Sequence, residues 1–281
     1  MKNNMIESGK LPVKNDIRIL YVLSLIIAFM VAFVSVIGIL YPKSIYPSED
    51  LFHTFFPNDI VNLIAGLPFL LISLWLAGRG KLIGLLCWPG AIFYVLYVYF
   101  PYIICVPFNI LFIPYLVLFS LSIYTLIGIV AIIESNVVSQ QLSGNVSARI
   151  SGGILIGLAV LSISRQSALM VNTLINKTIM APQLLAQCID DFTLLPVLFL
   201  GGFFLWKKKP LGYVAGAGLL IVYGVLSLGL IPLLVIQSSL KNKPLDISAI
   251  IIVAVMALIC LIPFAFFLKA VNNVNKTNGK K

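Results

Sequence analysis

Charge is what this chain has least of. Only 10% of its 281 residues are Asp, Glu, Lys or Arg, against 60% that are hydrophobic. A water-soluble fold needs about a quarter of its residues charged, so too little polar surface is present to coat a soluble domain. There is one histidine, and the four cysteines stand apart at Cys87, Cys105, Cys188 and Cys260 with no CxxC pair. A zinc centre needs clustered ligands, so none is expected. Walker A, GxGxxG, GxSxG and kinase signatures are all missing, which weighs against soluble-type enzymology and gives no reason to expect a cofactor.

What is abundant is long apolar runs. Eight are expected to cross a bilayer: Ile19 to Tyr41, Ile60 to Ala77, Leu82 to Phe100, Asn109 to Ile133, Ile150 to Ser164, Phe192 to Trp206, Leu211 to Ile236 and Ile247 to Leu268. The first is too long for a signal-peptide core and lacks a small-residue cleavage site, so it reads as a retained span. In hydrocarbon an unpaired backbone N–H or C=O costs several kcal/mol, which restricts spans to helices or closed barrels. Barrel strands alternate polar and apolar residues, and these runs do not. The expected fold is therefore an all-α integral membrane protein of about eight transmembrane helices.

The net charge of +10 reads as topology rather than as a nucleic-acid surface, because no basic stretch is interleaved with aromatics on a soluble domain. With the N-terminus inside, only Lys43, Arg165, Lys177, Lys241 and Lys243 fall outside, and the other fourteen of nineteen basic residues are cytoplasmic. The chain then divides into a cytoplasmic segment 1–18, a four-helix half 19–133, a cytoplasmic linker 134–149, a second four-helix half 150–268 and a cytoplasmic tail 269–281. Residues 165–189 read as an interfacial segment. An offset of 131 lays Arg149 on Arg18, Asp190 on Asp59 and Trp206 on Trp75, which suggests two parallel four-helix repeats.

Few residues could carry chemistry. Glu49, Asp50, His53 and Asp59 lie within eleven residues in the first outer loop and could bind a cation or exchange protons. A hydrated loop is also where idle charges collect, and no HExxH-like spacing is present. Asp59 and the pair Asp190-Asp191 start the second and sixth spans, where capping the helix is the simplest role. The sharper reading makes them one outer-face polar site. No ionisable residue falls mid-span, which weighs against a proton-driven carrier. Tyr94 and Tyr97 share a face of the proline-kinked third span and are candidates to line a cavity, while Tyr99, Phe100 and Tyr102 read as an aromatic belt. Gly153-x-x-x-Gly157 and Gly212-x-x-x-Gly216 suggest close helix contacts. Cys105 and Cys188 lie at one level, which leaves a disulfide open beside the plainer reading of packed thiols.

Residues 58–100, NDIVNLIAGLPFLLISLWLAGRGKLIGLLCWPGAIFYVLYVYF, resemble a group of prokaryotic multispan membrane proteins with no assigned activity. The likeness lies in an Asp-led second helix, the W-L-x-x-x-G turn and a tyrosine-rich third helix. Residues 195–220, LPVLFLGGFFLWKKKPLGYVAGAGLL, form a second similar block. The resemblance implies a shared fold and brings no ligand or catalytic residue. Three classes of function stay open: a transport-related or permease-like subunit working with a membrane-protein partner or ATPase, an intramembrane enzyme acting on a lipid or isoprenoid-linked substrate at the outer leaflet, and a non-catalytic assembly partner.

Overall fold

The computed structural model describes residues 11–144 and 146–278, with side chains as far as residue 273. Lys2, Lys10, Lys280 and Lys281 lie outside it. The described chain is all helix apart from turns and an isolated bridge between Val13 and Ile133. In order come α1 (Arg18–Leu40), α2 (Pro42–Ile45), α3 (Glu49–Val61), a π-helical turn (Asn62–Gly66), α4 (Leu67–Gly78), α5 (Leu82–Cys105), α6 (Phe112–Ile132), α7 (Ser135–Leu142), α8 (Ala148–Ile175), α9 (Pro182–Trp206), α10 (Pro210–Leu240) and α11 (Ile247–Asn278). Among the described residues eight helices are long and apolar enough to span a membrane, α3 to α4 counting as one.

Several helices are longer than their apolar runs. The expected outer loop before Asp59 is already helix, because Ser48 caps α3 by accepting the Leu51 N–H at 3.3 Å and Glu49 and Asp50 complement the first-turn dipole. Residues 165–175 continue α8, and α9 starts at Pro182, suited to a first helical position. The expected interfacial segment is therefore the ends of two helices and a short turn between them. In the middle of the second span Leu67 N–H reaches back five residues to the Asn62 carbonyl, so one extra residue is accommodated just before Pro68. The linker is also structured: α7 buries Val138 and Leu142 against α10 and α11.

The helix α5 is the hub. In its apolar window 83% of residues are buried, against 17% for α8, whose outer face is lipid-like. It touches α4 and α6 on its own side and α9 and α10 on the other. Where α5 crosses α10, Gly90 meets Gly218 backbone to backbone, and a Cβ on Gly90 would collide with the Gly218 carbonyl. Gly212 similarly lies against the backbone of Phe204 and Leu205. Among the described residues Gly153 and Gly157 meet nothing within 4 Å, so the close contact expected of that pair is not made there.

Two turns share one hydrogen-bond pattern. The N–H groups of Arg79, Gly80 and Lys81 donate to the carbonyls of Trp75, Ala77 and Leu76; those of Lys207, Lys208 and Lys209 donate to Phe203, Leu205 and Phe204. Gly80 and Lys208 both have positive φ, 71° and 54°. Each residue of the second turn is 128 beyond its counterpart. The offset here is therefore three less than the 131 that aligns the tryptophans, and it lays Asp190 on Asn62 rather than on Asp59.

Candidate functional site

Both carboxylate regions lie inside helices, so capping does not explain them. Asp59 is the eleventh residue of its helix, and Asp190 and Asp191 are the ninth and tenth of α9. At ~1.5 Å per residue they sit about 28 and 24 Å from the turns at Gly78 and Trp206, within a hydrocarbon thickness of about 30 Å. All three are buried. The acids therefore lie toward the N-terminal ends of their spanning helices and not at the middle, but the helices extend past them, and their burial was invisible to hydropathy.

The two regions differ in how they are satisfied. Asp59, 0% exposed, accepts the Tyr46 phenol at 2.5 Å on Oδ2 and the Tyr102 phenol at 3.0 Å on Oδ1. Gly38 makes room for it, since a Cβ there would overlap the carboxylate. Burial, and then the charge on Asp59, push the Tyr46 phenol far above its ordinary range, so it remains a donor. The network continues through Ser35 and Tyr99 at 2.9 Å, and through Asn62, which accepts from Tyr94 at 3.2 Å. Tyr99 and Tyr102 are fully buried here, so they are not an aromatic belt. A network with both carboxylate oxygens bonded is a rigid internal brace.

Asp191 and Asp190 form a different site between α5, α8, α9 and α10. Asp191 accepts from Gln166 on α8 and from Tyr97 on α5 at 3.3 Å, and the Arg165 charge attracts it. Asp190 is 1% exposed, its Oδ1 has no hydrogen-bond partner among the described residues, and its charged neighbour is another carboxylate. The Tyr223 hydroxyl, on α10, is also buried with no partner among the described residues, and its ring lies 6.4 Å from that of Tyr97. Two adjacent acids with an unfilled acceptor and an unfilled hydroxyl can take up a proton or a small cation, which would offset a desolvation cost of several kcal/mol.

Other expected site residues do not join these groups. Glu49 and Asp50 are exposed in the first turn of α3, and His53 is half-buried, its ring 5.7 Å from that of Phe52 and its backbone carbonyl accepting from Gln237 at 3.1 Å. Among the described residues no three of His, Cys, Asp and Glu come together to hold a metal. Tyr94 and Tyr97 do not line one cavity: three residues of helix leave them about 60° apart, and the first turns to Asn62 while the second turns to Asp191. Cys105 and Cys188 are free thiols, Cys105 lying 3.5 Å from the Pro182 carbonyl. Gln166 and Tyr223 gave no signal in the sequence beyond being polar within apolar runs. No protein-family model, curated protein or solved structure matches the chain.

Proposed function

We propose that the protein is a transport-related, permease-like subunit of the cell membrane, and that Asp190 and Asp191 are where it handles a proton or small monovalent cation. The observation that carries this reading is the Asp190 carboxylate, buried inside a spanning helix with no partner for Oδ1. An ionisable group kept in that setting costs stability, and such groups are retained where charge is moved. The position between four helices from both halves suits a site whose access changes as helices rock.

The arrangement assigned to it is two parallel four-helix halves with both termini cytoplasmic. Support comes from the basic residues gathered at the helix ends around Arg79, Arg149 and Lys207. The shared turn pattern at an offset of 128 and the Gly90–Gly218 contact point the same way, since equivalent residues meet at a two-fold axis. Membership of the prokaryotic multispan group belongs to the same reading and rests on the two sequence blocks. Partners would be the bilayer and a membrane protein or ATPase docked on the basic turns and on α7. The outer-leaflet enzyme has less to stand on, because Glu49, Asp50 and His53 are apart from the buried acids.

The test is reconstitution in liposomes with an imposed proton or sodium gradient. Wild-type protein dissipates one of the two gradients faster than liposomes carrying an equal amount of D190N. Equal rates from both, at equal incorporation, contradict the proposal.

A further inference from the structure

At the end of the molecule opposite the acids, the start of α8 is drawn against the end of α9. Gly152 makes this approach possible, since a Cβ there would strike the Trp206 backbone nitrogen and the Gly202 carbonyl. The result is a cavity of about 240 Å³ lined by Arg149, Trp206, Lys207 and Lys208.

Its charges are uncompensated. Among the described residues none of these three cations is ion-paired, whereas in the first half Arg18 pairs with Asp16 at 3.5 Å and Arg79 stacks 4.0 Å above the Trp75 ring. Lys207 lies over its own neighbour Trp206 at 5.2 Å, which orients it without neutralising it. Ser147 makes no side-chain cap, so the positive end of the α8 dipole adds to the same field. Lys208 holds φ at 54°, at the turn position that Gly80 fills in the other turn with φ 71°. A side chain there is disfavoured against the right-handed conformation, a cost glycine escapes. Three basic residues therefore line one cavity.

We propose that this corner binds a phosphate group, carried in the membrane by the headgroup of an anionic phospholipid. A phosphate oxyanion matches the guanidinium fork of Arg149, the two ammonium groups and the helix end. Trp206, 44% exposed, supplies an indole at headgroup level, and the exposed Ile150 beside Arg149 offers an apolar surface for the acyl chains.

The experiment uses the full chain in nanodiscs of phosphatidylcholine containing a small fraction of phosphatidylglycerol, followed by mild delipidation and native mass spectrometry. Wild-type protein retains phosphatidylglycerol in preference to phosphatidylcholine. R149A and K207Q/K208Q lower that retention by about fivefold for each charge removed, while K81Q on the other turn leaves it unchanged. The side chains altered are exposed, so folding is expected to survive, and a circular dichroism melt verifies it. A second arm adds inorganic phosphate to lipid-poor protein. A thermal shift that vanishes in R149A, without selective lipid retention, supports the phosphate site and assigns it a soluble ligand. No lipid preference and no phosphate shift, or equal responses from wild type and R149A, overturn the proposal.

Discussion

Tyr97 donates its phenol hydrogen to Asp191 across 3.3 Å, joining a helix of the first half of the chain to one of the second. The bond is long, and Gln166 holds the other oxygen of the same carboxylate, so its role is orientation more than cohesion. A double-mutant cycle on Y97F and D191N is expected to give a coupling of about 0.5–1.5 kcal/mol. Thermal unfolding in detergent measures it. A coupling near zero would mean the two side chains act independently.

Asp59 should behave as a brace. D59A leaves the Tyr46 phenol unpaired in an apolar interior, at ~1–3 kcal/mol, and leaves Tyr102 only its 3.3 Å bond to the Phe55 carbonyl. The expected result is a loss of about 2–4 kcal/mol and a fall in membrane abundance, while Y46F costs less because only one bond of the carboxylate is removed. Quantitative blotting and detergent melts read both.

Asp190 should respond in the opposite direction. Its unpartnered carboxylate has no bond to lose, so D190N removes a desolvation burden and is expected to keep or raise stability by ~1–2 kcal/mol. A melting point several degrees below wild type would instead assign it a structural role like that of Asp59.

The crossing of α5 and α10 gives a second contrast. G90V forces a side chain into the Gly218 backbone, which cannot yield, and is expected to cost about 3 kcal/mol or more. G157A meets open space and should instead gain about 0.5–1 kcal/mol from helix propensity. Similar losses from both would mean α8 makes a contact that this chain alone does not contain.

The sequence made the eight spans legible because apolar runs leave the backbone no alternative in lipid. Their ends were less legible. Ser48 with Glu49 and Asp50 is a recognisable cap, but Pro47 and the cluster of charges read as a loop, so Asp59 looked terminal when it lies inside a helix. Residues 165–175 looked interfacial for a related reason: the polarity of Gln166 is spent on Asp191, a partner 25 positions away. The tyrosines of α5 were visible as a group. Which of them faces Asp59 and which Asp191 depends on packing between halves, and periodicity within one helix does not encode it. Tyr46, Gln166 and Tyr223 became site residues only once the helices were assembled.

The claim that Asp190 takes up a proton or cation is tested most directly by infrared difference spectroscopy of the protein in lipid, switching between sodium-free and sodium-containing buffer and across pH. A carboxyl signal that changes with sodium or with pH is expected in the wild type and is missing from D190N, while D191N retains a shifted version of it. A spectrum identical in wild type and D190N under every condition would contradict it.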